Sequence, residues 1–200
     1  MVISLEGLPG AGKTTAAALV ARRLHADALK ETTGDHPFLQ QVYEDDGRDD
    51  LTVELSFLVV HANPFRRLDR AKLTICDFSP AKDMLFAEEM LSAEDLELFR
   101  GIYAHVYAAH PLPDVGVYLQ ASPELCLQRV RDRMRTDPSR AFEAGMTLDR
   151  LQRMQERYEL GLDRLAQFML VVGIEPELGP EGVADSIAAA LHAQAVRQAS

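Results

Sequence analysis

Residues Gly7 to Thr14 read Gly-Leu-Pro-Gly-Ala-Gly-Lys-Thr, a full match to the phosphate-binding pattern G-x-x-x-x-G-K-[ST]. The pattern constrains the fold because it works only between a strand and a helix. Both flanks are present: the apolar run Val2-Ile3-Ser4-Leu5 precedes it, and an alanine-rich stretch from Thr14 to Leu24 follows it. In that setting glycines let backbone N–H groups curl around phosphate oxygens, and the helix N-terminus adds partial positive charge. Gly7, Leu8, Pro9, Gly10, Ala11, Gly12, Lys13, Thr14 and Thr15 are thus expected to cradle a nucleoside triphosphate. Lys13 would reach the β- and γ-phosphates, and the Thr14 hydroxyl would ligate Mg²⁺.

The rest of the chain alternates strand-like and helix-like segments, which predicts a parallel sheet covered on both faces. Strands are expected at Val2–Leu5, Ala28–Glu31, Leu73–Asp77, Gly116–Ala121 and Phe168–Ile174. Ser122-Pro123-Glu124 opens a helix, with Ser as cap, Pro in the first turn and a carboxylate near the dipole. Thr147 opens another, in which Leu148, Leu151, Met154, Tyr158, Leu162 and Leu165 recur at three- and four-residue steps. A last helix starts at about Gly182 and carries Val183, Ile187 and Leu191 on one face. The expectation is a single α/β domain over residues 1–200, a P-loop kinase fold with a five-stranded parallel sheet flanked by helices.

A net charge of −10 lacks the basic face that a nucleic-acid binder needs. Cys76 and Cys126 sit in apolar surroundings without C-x-x-C spacing, so they read as small core side chains rather than metal or redox groups. Without a signal peptide or an apolar run of membrane-spanning length, the expected location is cytoplasmic.

Ligands of parallel sheets gather at the C-terminal strand ends, so the acids there carry weight. Glu31 ends the expected second strand and Asp77 the third. A carboxylate beside the phosphate loop can hold Mg²⁺ together with Thr14, and a second can orient or deprotonate an attacking hydroxyl. Either acid alone serves equally well as a helix cap or a solvated side chain. Arg129 and Arg133, four apart on one helix face, together with Arg140, could close over a transferring phosphoryl group. Taken alone, such a run also reads as a solvated surface.

Together these residues resemble the deoxynucleoside kinases, especially the short bacterial deoxyadenosine and deoxyguanosine kinases. The carrying motifs are Ile3-Ser4-Leu5-Glu6-Gly7 through Lys13-Thr14-Thr15; Glu31 followed by His36-Pro37-Phe38-Leu39 and Tyr43-Glu44; and Val53-Glu54-Leu55-Ser56-Phe57-Leu58 through His61. Asp77-Phe78-Ser79 with Asp83, Pro113-Asp114, and Arg129, Arg133 and Arg140-Ala141-Phe142-Glu143 complete them. The resemblance implies ATP-dependent phosphorylation of a deoxynucleoside 5′-hydroxyl, a purine one, with Glu31 as general base and Lys13 and the arginines as charge stabilisers. It also implies sugar contacts from Tyr43 and Glu143, base contacts from Glu54, His61 and Asp83, an arginine lid over residues 129–143, and a homodimer. Three positions depart from the family pattern: Phe78 replaces an arginine, Glu54 a glutamine and His61 an arginine. Met134 to Ser139 are extra residues in the lid. An ionised Glu54 offers acceptors only and would favour guanine, whereas a protonated one would mimic the glutamine and admit adenine or cytosine. Three alternatives stay open: a kinase of nucleoside monophosphates, a nucleotide-dependent switch, and a noncatalytic subunit. The absence of Asn-Lys-x-Asp and Leu-Ser-Gly-Gly-Gln sequences removes the GTPase and transporter-ATPase versions of the switch.

Overall fold

The computed structural model describes residues 1–31, 38, 50–108, 113–165, 169–175 and 178–198. The chain begins with β1 (Val2–Glu6), α1 (Lys13–Arg23) and β2 (Asp27–Leu29), and continues with α2 (Asp50–Arg66) and β3 (Thr74–Cys76). Two helices follow, α3 (Pro80–Met90) and α4 (Ala93–Tyr107), before β4 (Val115–Ala121). Then come α5 (Pro123–Thr136), a 3₁₀ segment (Pro138–Gly145), α6 (Leu148–Leu165), β5 (Met169–Ile174) and α7 (Pro180–Gln198).

The strands form one parallel five-stranded sheet in the order β2-β3-β1-β4-β5. β1 sits at the centre, which is why all five of its residues are buried and its sequence runs apolar rather than alternating. Its two faces belong to different packing layers. Ile3 and Leu5 join Val20 of α1, Ile187 of α7 and Leu151 of α6 in the main core. Val2, on the opposite face, packs with Phe65 of α2, Cys76 and Phe78. A third cluster, Leu58, Ala62, Ala87, Phe99 and Tyr107, ties α2, α3 and α4 together.

The observed strands follow the sequence reading within one or two residues. β2 ends at Leu29, so Glu31 lies just beyond the strand instead of closing it, and Asp77 likewise follows β3. Helix starts follow hydroxyl caps. Ser122 accepts the Leu125 N–H at 3.2 Å, and Thr147 accepts the Arg150 N–H at 3.2 Å. The same device starts α3 and α4, where Ser79 and Ser92 accept from Ala81 and Asp95. These two helices were not among the elements expected above, although Ser79-Pro80 repeats the signal of Ser122-Pro123. The last helix starts at Pro180, two residues before the expected Gly182. Both cysteines are buried and free, and burial pushes their thiols up to about 12 for Cys76 and about 11 for Cys126, consistent with core roles.

Candidate active site

The phosphate loop joins β1 to α1. Gly10 has φ 90°, and a Cβ there would stand 2.4 Å from the Cys126 carbonyl oxygen. Gly12 caps α1 with φ 98°. Only glycine takes both positions without strain, which gives the spacing of the motif its physical basis. Lys13 opens α1, half-buried, and its ammonium donates to the carbonyls of Gly7 at 2.7 Å and Leu8 at 3.0 Å. It therefore stays over the mouth of the loop. Burial and the nearby Lys82 lower it to about 8, against the attraction of Glu31, Glu6 and Asp77. Leu8 and Ala11 are buried behind the loop, whereas Gly12, Thr14 and Thr15 are exposed.

Thr14 donates its hydroxyl to Asp77 Oδ2 at 2.5 Å, and the other Asp77 oxygen accepts the Glu31 N–H at 2.6 Å. One buried carboxylate thus links the phosphate loop to the acid after β2. Thr14 and Asp77 present two hard oxygen donors at the loop, a set that suits Mg²⁺ completed by phosphate oxygens and water. Among the described residues no cluster of three His, Cys, Asp or Glu side chains forms an all-protein metal cage.

The Glu31 side chain meets two donors on one oxygen. His61 Nε2 lies 2.8 Å from Oε1, and Lys82 Nζ donates to the same atom at 3.1 Å. The other ring nitrogen of His61, Nδ1, lies 2.6 Å from Asp83 Oδ1. Two carboxylate acceptors require a proton on both ring nitrogens. Burial by itself would lower His61, but Asp83 and Glu31 outweigh it and raise the ring to about 9, so the imidazolium persists at neutral pH. Burial likewise opposes ionisation of Glu31, yet Lys82 and His61 hold its carboxyl well below the usual carboxylate range. Phe57 and Phe78 flank the imidazolium, with ring centroids 5.6 and 4.9 Å away.

Glu54 sits on α2, buried, two turns before His61. Burial, reinforced by the Asp83 carboxylate, pushes it up to about 8. At neutral pH it is a protonated acid with one donor and one acceptor, the glutamine-like state rather than the acceptor-only one. Asp83, at the start of α3, is also buried, and its Oδ2 has no hydrogen-bond partner among the described residues.

The arginine segment is the C-terminal half of α5 and the 3₁₀ segment after it. Arg129 Nη1 points to the Ala11 carbonyl in the phosphate loop at 3.5 Å. Arg133 grips the buried Glu143 with both Nε, at 2.7 Å from Oε2, and Nη2 on Oε1. Arg140 Nε adds a bond to Glu143 Oε2 at 3.3 Å. Glu143 therefore gathers two of the arginines. Of the extra residues expected in this segment, Met134, Arg135 and Thr136 finish α5, and Asp137 caps the 3₁₀ segment by accepting the Ser139 N–H at 3.1 Å. Tyr43, His36, Pro37, Leu39 and Glu44 lie outside the described residues.

Two residues not singled out from sequence belong to this site. Lys82 bonds Glu31 directly. Glu6, the last residue of β1, is buried on the α2 face of the sheet; burial raises it to about 7 against the pull of Ser79, Lys82 and Lys13. For Glu6 the available signal was an acid in an otherwise apolar strand. For Lys82 it was a cation in the first turn of a helix, where the dipole disfavours it.

Known proteins resemble this chain in sequence and in fold. The deoxynucleoside kinase family matches residues 3–182. The deoxyguanosine kinase of Bacillus subtilis is 27% identical over 173 residues, covering 82% of this chain and 80% of that protein. The deoxyadenosine kinase of Dictyostelium discoideum is 25% identical over 195 residues, covering 94% of this chain and 78% of that one. Among solved structures, the deoxyadenosine kinase of M. mycoides with bound dATP superposes with a TM-score of 0.79 at 20% identity, over 96% of this chain and all of that one. The same enzyme with dCMP and dCDP gives 0.78. This chain belongs to the deoxynucleoside kinase family, with its P-loop α/β fold.

Proposed function

We propose that the chain transfers the γ-phosphate of ATP to the 5′-hydroxyl of a purine deoxynucleoside. The observation that carries this reading is the link Thr14–Asp77–Glu31, which fixes an ionised carboxylate beside the phosphate loop. Phosphoryl transfer needs little covalent help from a protein beyond positioning and charge stabilisation. The loop amides and Lys13 hold the triphosphate. Mg²⁺, held by Thr14 and Asp77, would neutralise charge on the β- and γ-phosphates. Glu31 orients the sugar hydroxyl and accepts its proton as the oxygen attacks. Arg129, beside the loop, and Arg133 and Arg140, gathered by Glu143, act as a lid that spreads charge on the moving phosphoryl and excludes water. Tyr43 and Glu143 are assigned to the sugar.

The purine assignment is supported by the deoxyguanosine and deoxyadenosine kinases among the relatives. In the pocket it falls to Glu54 and Asp83, with His61 holding one Asp83 oxygen and leaving the other to accept from the base. We also propose a homodimer in the cytoplasm. Among the described residues no helix is long and apolar enough to cross a membrane, and light scattering would give about twice the chain mass for the dimer.

A nucleoside monophosphate acceptor is the second reading, since a probable thymidylate kinase of Archaeoglobus fulgidus is 27% identical over 147 residues. The cation such an acceptor needs near Phe78 exists as Lys82, but Glu31 already engages it. ADP release from ATP, measured with deoxynucleosides and with their monophosphates, tests the proposal. Stimulation by a purine deoxynucleoside is expected. Stimulation by monophosphates alone, or hydrolysis indifferent to both, would overturn it.

A further inference from the structure

Phe78 follows Asp77, where the family pattern has an arginine, and it brings no charge to the site. It is buried against Phe65, edge-on at 5.3 Å, and against the His61 ring. The catalytic carboxylate nevertheless has a cation. Ser79 caps α3 and Pro80 starts it, and the first turn of that helix turns Lys82 toward the acid after β2. We propose that Lys82 is the positioning residue for Glu31, supplying from α3 the cation that Phe78 does not supply.

Four observations carry this. Lys82 Nζ and His61 Nε2 converge on Oε1 of Glu31, and among the described residues no hydrogen bond reaches Oε2. One oxygen is therefore held by two donors while its twin stays available for the sugar hydroxyl. The pair is sheltered, with 21% of the Lys82 side chain and 13% of the Glu31 side chain exposed, so water screens it weakly. Lysine in the first turn of a helix works against the dipole and loses rotamer freedom when held, which marks it as retained by a partner. Finally, of the three carboxylates whose charge acts on Lys82, Glu31, Asp83 and Glu6, Glu31 is the one that it bonds among the described residues. Lys82 acts through Glu31 and not on the reacting atoms.

The inference rests on the kinase reading, so its test has an arm that does not. Purified Lys82→Met, Lys82→Arg, Glu31→Gln and the Lys82→Met/Glu31→Gln double variant are compared with wild type in deoxynucleoside phosphorylation and in thermal unfolding. Lys82→Met should lower kcat about 30- to 100-fold, the scale of a misplaced catalytic group, with nucleoside KM within about threefold. Lys82→Arg should stay within about fivefold of wild type because it restores a donor to Oε1. The double variant should be no slower than Glu31→Gln alone, as groups acting as a unit are non-additive. A Lys82→Met enzyme with more than half the wild-type kcat, or rate losses that multiply in the double variant, overturns the proposal. Should wild type phosphorylate no deoxynucleoside, the kinase reading fails by itself. The unfolding cycle then decides on the pair: Tm losses smaller in the double variant than the two single losses together support it, and additive losses overturn it. If Lys82→Met does not fold, Lys82→Gln takes its place, with the same expected outcomes.

Discussion

Glu31, half-buried, and Glu54, buried, are two glutamates within one site, and their surroundings give them opposite charge states. Lys82 and His61 keep Glu31 ionised, whereas burial and Asp83 keep Glu54 protonated at neutral pH. Glu31→Gln preserves an oxygen for Lys82 and His61 but turns the free carboxylate oxygen into an amide that cannot take a proton. We expect kcat to fall about 10²-fold or more, with a smaller change in nucleoside KM. A variant that loses affinity while keeping kcat would move Glu31 from proton transfer to binding. For Glu54 the sign is set by a pKa raised to about 8: protonated below it, carboxylate above it. Guanine offers N1–H and a 2-amino group as adjacent donors, which a carboxylate accepts together. Adenine places a ring acceptor beside its amino donor, which a carboxylate opposes. The ratio of kcat/KM for deoxyguanosine over deoxyadenosine should therefore rise between pH 6.5 and 8.5, by up to about tenfold for an opposed polar contact. The groups facing Glu54 are Asp83, Lys82, Asp50 and His61. Lys13 and Glu6 titrate nearby but serve both substrates alike, so they cancel in the ratio. The ratio should stay flat in Glu54→Gln.

Helices were legible where a cap and an apolar stripe coincided. Ser122 and Thr147 announced α5 and α6, and the stripe of α6 buries Leu151 and Tyr158 as its spacing implies. α3 was missed because it is short and its apolar residues are spread around the helix, packing on α2, α4 and α6. α4 carries both signals, the Ser92 cap and a stripe of Leu96, Phe99, Tyr103 and Val106, so it was legible in the residues and overlooked. β2 was overrun at its end because Glu31 is held by a hydrogen bond to the Asp77 side chain, a tertiary contact that no local pattern records. The arginines of α5 lie four apart on one face, yet they have different partners, and this separates their expected roles. Arg133→Met leaves the buried Glu143 with Arg140 alone, so it should lower both kcat and Tm. The lost charge-assisted pair is worth about 1–3 kcal/mol. Arg129 makes one long bond to the Ala11 carbonyl, so Arg129→Met should lower kcat with little change in Tm. Parallel turnover and melting measurements check both. Equal Tm losses in the two variants would mean that Arg129 has a structural role as large as that of Arg133.

Across the whole molecule, the loop motif and the alternation of strands and helices made the position of the site legible, since Thr14, Asp77 and Glu31 follow the C-terminal ends of three adjacent strands, β1, β3 and the edge strand β2. What joins them was not legible. The His61 bridge spans 30 residues to Glu31 and 22 to Asp83, and the substitution of Phe78 suggested a lost cation where Lys82 supplies one. Long-range pairing of this kind depends on how α2 and α3 pack over the sheet, which residue spacing alone does not encode. The same architecture fixes how nucleotide binding should appear in global stability. Lys13 is half-buried rather than solvent-facing, and its ammonium bonds two loop carbonyls, so Lys13→Ala should cost the protein without nucleotide about 1–2 kcal/mol in lost hydrogen bonds. Its larger effect is on linkage. A ligand that binds only the folded state at 100 times its Kd adds about 2.7 kcal/mol, and at about 2–4 °C per kcal/mol for a chain of this length that is about 5–10 °C in Tm. Mg-ATP should raise the wild-type Tm by that amount and leave Lys13→Ala nearly unmoved, with phosphoryl transfer abolished. A Lys13→Ala protein that keeps the full nucleotide-induced shift and normal turnover would show that the loop between β1 and α1 is not where the triphosphate binds.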